Sequence, residues 1–358
     1  MSGAIAGYVL RLARESIPFT QAGFAEACGK DFTTVQGWET GRRPLANMRA
    51  NDLLALRRRL PALGADPVVV AHLAPAMDAD RIISAALDPP EVGQPHPLSE
   101  WVHTRETAHM LAWALTGVTP PALAVGPTPS RRGAVAKAPL LANSDRSAFF
   151  AHLRHAAESA NRAGQRGVLL HRQALYFTSY DRSPEAALWT AQALHARRDT
   201  FAERGWTPRW AETRSTATAL ARLGDPTPLL DFIERGLVGD DTAEAANLNY
   251  WAYWLGALPQ AQSDDDFMVD RSLSAFDPVS LLRRLDRGLH QAPGYTDLYA
   301  HSLWALLTAH PWLPLAAPDT VIALSDRATR LLDGDQISSR SKRELTAVYY
   351  VLRENRKG

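Results

Sequence analysis

The 358-residue chain holds a single cysteine, Cys28, so it cannot form an internal disulfide and is not a disulfide-stapled secreted scaffold. That usage fits a reducing compartment. No apolar run approaches the ~20 residues that a membrane-spanning helix needs. The opening MSGAIAGYVLRLARES lacks the basic flank, long apolar stretch and cleavage site of a secretory signal. A soluble, cytoplasmic protein with no membrane partner is expected. A convincing alternating strand pattern is missing too, which argues against β architectures. Missing as well are a glycine-rich phosphate loop, a Ser-His-Asp order and a setting for a cysteine nucleophile. No enzyme is expected, and no cofactor. Nor is there a net charge of consequence, since 39 Lys and Arg face 38 Asp and Glu.

What is present is apolar content and helical spacing. Hydrophobic residues make up 46% of the chain, enough for a sizeable core. Ile5, Val9 and Leu12 recur at steps of four and three, and Pro18 closes that first helix. Leu45, Met48, Leu53, Leu56 and Leu60 predict a helix over 45–60 that ends at Pro61. Further helices are expected at 67–87 and 98–115, separated by the extended DPPEVGQPHP. Residues 116–139, rich in Pro, Gly and basic side chains, read as a flexible linker. Beyond 146, amphipathic segments follow one another at 146–162, 166–179, 184–204, 206–223, 226–236, 241–257, 278–290, 294–309, 318–333 and 338–354. Short breaks between them suggest antiparallel hairpins stacked side by side, at periods too irregular for a strict tetratricopeptide array. The fold class is all-α. Three parts are expected: 1–65 as a small helical bundle, 66–145 as connector and linker, and 146–358 as a helical-repeat-like domain.

The charge is not evenly spread. Residues 1–60 contain nine basic side chains (Arg11, Arg14, Lys30, Arg42, Arg43, Arg49, Arg57, Arg58, Arg59). Against them stand five acids (Glu15, Glu26, Asp31, Glu39, Asp52), a surplus of four. A compact basic module on a neutral body points to a polyanionic partner for the N-terminus. Within it lies TQAGFAEACGKDFTTVQGWETGRR, residues 20–43. Thr20 can cap a helix from Gln21 to Cys28, Gly29 supplies a tight turn, and Asp31 can cap a second helix over Phe32–Thr40. Ala25 is small where the two helices cross, Phe24, Val35 and Trp38 form their apolar side, and Cys28 faces inward. Gly41 ends the second helix, and Arg42 and Arg43 face outward. Gly37 inside that helix costs about 1 kcal/mol relative to Ala, so the helix is expected to firm up on its partner.

These residues resemble the helix-turn-helix of lambda-repressor-like regulators, the Xre family, over about residues 4–65. Gln21, Ala25, Gly29, Val35 and Trp38-Glu39 fall at that family's spacing. YVLRLARES matches its first helix and NDLLALRRRL its closing one. The resemblance implies a sequence-specific regulator whose recognition helix, Phe32–Thr40, enters the major groove of double-stranded DNA. Phe32, Thr33, Gln36 and Thr40 would meet base edges, Gln36 by a bidentate bond to adenine. Gln21, Arg42 and Arg43 would hold phosphates. Lys30 stands where the family usually has an apolar residue, and Phe32 either fills that site or faces DNA. The resemblance also implies a nucleoid-associated homodimer whose C-terminal domain dimerises, senses a small molecule or peptide, or both. The rival reading is a helical-repeat scaffold that binds protein and no DNA.

Two other stretches concentrate chemically distinctive side chains. His103, Glu106 and His109 in HTRETAH stand three apart on a helical face, as do His152 and His155, but without the HExxH spacing. No metal site is expected there. The second stretch is NLNYWAYWLGALPQAQSDDDF, residues 247–267. Its Tyr250, Trp251, Tyr253 and Trp254 fit core packing between hairpins. Alternatively Tyr250, Trp251 and Trp254 line a pocket rimmed by Asp264, suited to a cationic or amphipathic ligand or a peptide.

Overall fold

Several helices of the N-terminal half begin where a side chain takes up free amide hydrogens. In the computed structural model, residues 3–88, 95–124, 138–195, 201–270, 276–289, 295–334 and 337–354 are described, and every regular element among them is helical. Helix α1 (Ala4–Glu15) follows Gly3, which has no side chain to cap it. Asp80, 75 residues away from Ile5 in sequence, performs that task. Its two oxygens accept the amides of Ile5 at 3.0 Å and Ala6 at 2.9 Å. Burial pushes this carboxyl up to about 6, against the opposing pull of the two amides.

Helix α2 (Gln21–Ala27) is capped by Thr20, whose hydroxyl oxygen accepts the Gly23 amide at 3.1 Å. Helix α3 (Phe32–Glu39) is capped by Asp31, which accepts the Thr34 amide at 2.7 Å. Gly29, at φ +64, turns the chain between them. After a 3-10 turn at Leu45–Asn47 comes α4 (Ala50–Ala62), with Pro61 inside its last turn. The continuous helix expected over 45–60 is thus two elements. The expected 67–87 is likewise α5 (Pro67–Ala71) and α6 (Leu73–Leu87), interrupted at His72. The expected 98–115 is α7 (Pro97–Glu100) and α8 (Arg105–Thr116). Helix α9 spans Asn143–Arg162.

Two glycines let α1 lie directly on the end of α3. A Cβ at Gly7 would sit 2.3 Å from the Trp38 carbonyl oxygen. One at Gly41, which turns the chain after α3 at φ +72, would sit 2.6 Å from the Gly3 carbonyl carbon.

The chain divides into two compact units, Met1–His155 and Ala156–Gly358, with the division falling inside α9. Helix α6 packs on α1 and α8 packs on α6, and residues 67–116 lie within the first unit. Ile82, Ile83, Met110, Leu111 and Trp113 are buried there, and the Tyr8 ring meets Trp113 edge-on at 4.9 Å. A small bundle ending at 65 would leave that apolar surface exposed. The Pro/Gly-rich segment over 125–137 lies outside the described residues.

The second unit contains α10 (Val168–Thr178), α11 (Pro184–His195), α12 (Trp210–Leu223), α13 (Thr227–Gly236) and α14 (Asp241–Trp254). After them come α15 (Pro278–Gly288), α16 (Thr296–Ala309), α17 (Leu313–Ala316), α18 (Pro318–Leu332) and α19 (Ser339–Glu354). Helix α12 packs against α10 and α13, α16 against α14, α15 and α19, and α18 against α15 and α19. Glycines and prolines punctuate the series, as the sequence spacing implies.

Candidate nucleic-acid interface and cavity

Helix α3 has one buried and one open side. Val35 and Trp38 are buried, whereas Phe32 is 45% exposed and Thr33 and Thr40 are also exposed. Phe32 therefore does not fill the site left by Lys30, which pairs at the surface with Asp52 at 3.1 Å. Gln36 is half-buried, and its carboxamide has no hydrogen-bonding partner among the described residues. Two of the other hydroxyls are already engaged. Thr33 donates to Asp31 at 2.6 Å, and Thr40 donates back to the Gln36 carbonyl at 2.8 Å. The Thr33 and Thr34 hydroxyls, together with the Thr34 amide, hold the Asp31 carboxyl well below the usual carboxylate range.

Gly37 has a local explanation. A Cβ there would press on the Arg43 side chain at 3.0 Å, so the missing methyl makes room for the Arg43 stem across α3. The Arg43 amide donates to the Gly37 carbonyl at 2.9 Å, and its guanidinium donates to the Thr34 hydroxyl at 2.7 Å. Helix α3 runs from its Asp31 cap to this clasp in the chain by itself.

The basic surplus falls on the surface. Arg11 pairs with Glu15 at 3.9 Å, Arg14 with Glu39 at 2.5 Å and Lys30 with Asp52, removing equal numbers of each sign. Arg42, Arg43, Arg49, Arg57, Arg58 and Arg59 remain, all exposed, against Glu26 and Asp31. Arg42 has no ion-pair or hydrogen-bond partner among the described residues.

Gln21 and Glu39 work inside the unit. The Glu39 carboxylate is buried and takes both the Arg14 guanidinium and the Gln21 amide, the latter at 2.9 Å. Gln21 thereby ties the start of α2 to the end of α3. Cys28, expected in the core, is only half-buried, and burial pushes its thiol up against the opposing pull of Arg59 and Lys30.

In the second unit the aromatic stretch faces inward. Trp251 is 3% exposed and Tyr250 is buried, and the Arg214 guanidinium lies 3.9 Å from the Tyr250 ring centroid and 4.9 Å from that of Trp251. Burial lowers the pKa of Arg214. Trp254 is half-buried and stacks on Tyr250 at 6.1 Å. Asp264 is exposed and accepts from Ser263 and the Asp266 amide within its own turn. Asp265, its neighbour, is the carboxylate that reaches inward, clasping the buried Arg172. Tyr250 and Trp251 thus meet Arg214, Trp251 also meets Tyr299 and Trp254 meets Tyr176, while Asp264 keeps its bonds within its own turn.

The opposite face of α14 does line a cavity, of about 680 Å³. Asp241, Glu244, Ala245 and Leu248 form one wall, Phe276 and Pro278 another, and Trp304, Thr308 and His310 the third. Beneath it His301 is fully buried, 3.0 Å from Glu244 on Nε2 and 3.0 Å from Glu344 on Nδ1. Burial opposes its charge, but these two carboxylates more than offset that and raise its pKa to about 9. An imidazolium donating from both nitrogens is the species this geometry accommodates. The run TDLYAHSLWALL gives no hint of it, because its carboxylate partners stand 57 and 43 residues away.

The histidines of the first unit do other work. His103 is buried with its ring 5.0 Å from Trp101, and His96 stacks on His152 at 5.4 Å. Burial and the neighbouring His152 lower His96 to about 4. Among the described residues no three His, Cys, Asp or Glu side chains gather as a metal site would require. None of the helices found among those residues is long and apolar enough to cross a membrane. No protein-family model, no curated protein and no solved structure matches this chain.

Proposed function

We propose that the chain is a DNA-binding transcriptional regulator that reads duplex DNA with α3 in the major groove. The observation that carries the reading is the open side of α3. Phe32, Thr33, Gln36 and Thr40 stand clear of the core behind a buried Val35–Trp38 side, beside a set of unneutralised arginines. A helix fits the major groove, where each base pair shows a distinct donor and acceptor pattern. Gln36, with its carboxamide uncommitted, suits adenine, and the Phe32 ring suits a thymine methyl. The hydroxyls of Thr33 and Thr40 serve the helix itself, so these two contribute methyl contact first. Arg42 and Arg43 set register on phosphates. Gln21 reaches a phosphate only by sharing its amide with Glu39.

The resemblance to lambda-repressor-like heads supports the same reading, with the helical second unit serving dimerisation, effector sensing or both. In a two-fold dimer the half-sites would stand about 10 bp apart, or a multiple of that. The test is selection of bound duplexes from a randomised library by the purified full chain. Enrichment of a paired motif at such a spacing is expected. Retention of no duplex, or retention without enrichment at low salt, would overturn the reading and favour a protein-binding scaffold.

A further inference from the structure

The cavity on α14 is lined by four carboxylates, Asp240, Asp241, Glu244 and Asp270, and among the described residues its lining contains no lysine or arginine. The lining also includes His310, whose pKa is lowered by burial. Two of the acids have internal duties. Asp240 caps α14 by accepting the Ala243 amide at 2.8 Å, and Glu244 is offset by the imidazolium of His301. Asp241 is exposed and has no ion-pair or hydrogen-bond partner among the described residues. The C-terminal end of α16 also opens here through Thr308, Ala309 and His310, bringing the negative end of a helix to the same wall. Between these groups the surface is apolar: Leu248 and Phe276 on one side, the half-buried Trp304 on the other.

A volume near 680 Å³ lies within the range of small-molecule sites, which bury an apolar body and fix it with a few polar groups. An anion would meet the exposed Asp241 carboxylate, and a neutral apolar molecule would leave it without a partner. A cation gains from Asp241, from the helix end and from the face of Trp304.

We infer that this cavity is a binding site for a small organic cation, an amine with a hydrocarbon or aromatic body, whose ammonium sits by Asp241 and whose body lies between Leu248, Phe276 and Trp304. Its role as effector rests on the regulator reading above; its ligand class does not, and the test below contains no DNA.

The probes are three dansyl compounds with one fluorophore: dansylcadaverine, a cation; dansylamide, neutral; and dansylglycine, an anion. Each is titrated into the full chain and followed by its emission. Dansylcadaverine is expected to bind tightest and dansylglycine weakest. Asp241→Asn is expected to weaken dansylcadaverine up to about fivefold and leave dansylamide unchanged. Trp304→Leu is expected to weaken dansylcadaverine about tenfold. Far-UV circular dichroism checks that both variants keep the parent fold, and Asp241→Asn, at a surface position, serves alone if Trp304→Leu does not. No emission change with dansylcadaverine at millimolar concentration would overturn the inference. So would equal binding of the three probes, or unchanged dansylcadaverine binding in folded Asp241→Asn.

Discussion

The buried His301 makes the second unit's stability depend on pH in a direction that can be worked out. An unfolded histidine releases its proton near 6.5, whereas the folded one keeps it to about 9. Between those values the native state holds a proton that the unfolded state has lost, so stability falls as pH rises. It is fully present below 6.5 and lost as pH passes through about 9. At about 1.4 kcal/mol per tenfold change in proton affinity, the span corresponds to about 3 kcal/mol. His301 is 0% exposed, so solvent screening does not reduce this appreciably. Seven of the ten tryptophans (Trp189, Trp206, Trp210, Trp251, Trp254, Trp304, Trp312) lie in the second unit, so urea unfolding followed by tryptophan emission reports mainly on it. Measured from pH 6.5 to 9, the parent should lose about 3 kcal/mol relative to His301→Gln. The double variant His301→Gln/Glu344→Gln, which carries one buried carboxylate fewer, provides the same comparison. Equal pH slopes for parent and both variants would refute the argument that the two glutamates hold an imidazolium.

Three further outcomes follow from the first unit. Gly41→Ala combines a left-handed backbone with a Cβ 2.6 Å from Gly3, and should destabilise by at least about 2 kcal/mol; Gly29→Ala, whose Cβ would meet nothing within 4 Å, should cost only the backbone strain. Hydrogen exchange of α1 peptides, faster in the first variant and unchanged in the second, checks the pair. Glu39→Gln leaves the Arg14 guanidinium without its buried charge partner and should cost about 2 kcal/mol or more in denaturant unfolding, against a negligible change for Glu26→Gln at the surface. Arg42→Ala should weaken binding to every duplex and reduce the slope of log affinity against log salt by about 1, measured by fluorescence anisotropy.

Much of the helical layout is legible in the chain because local signals mark helix ends. Thr20, Gly29 and Asp31 act as their positions imply, and the segments beyond 146 match the observed helices to within a few residues except over 184–204 and 206–223. Helix α11 is described only to His195, and α12 starts at Trp210. Long-range contacts are what composition and period leave out. Nothing near Gly3 shows that Asp80 will cap α1, and nothing near Gly7 shows that the Trp38 carbonyl will press on it. For the same reason nothing within 67–87 shows that α5 and α6 will pack on α1. Helix α14 carries polar and apolar residues on every side, with Asn247 and Asn249 buried, so its period does not say which side faces the core. It is the side of Asp241, Glu244 and Leu248 that borders the cavity, and packing between helices, which residue type does not reveal, decides that.

Base reading by α3 through Gln36, as proposed above, can be probed with a chemical cycle. In the selected duplex, each adenine within a half-site is replaced in turn by 7-deazaadenine, which removes the major-groove N7 acceptor and leaves pairing intact. Binding is then measured for the parent and for Gln36→Ala at one fixed salt concentration. At one adenine position the replacement should cost the parent about 1–3 kcal/mol and Gln36→Ala nothing further. If every replacement affects the two proteins alike, Gln36 does not meet adenine in the major groove and the account of α3 is wrong.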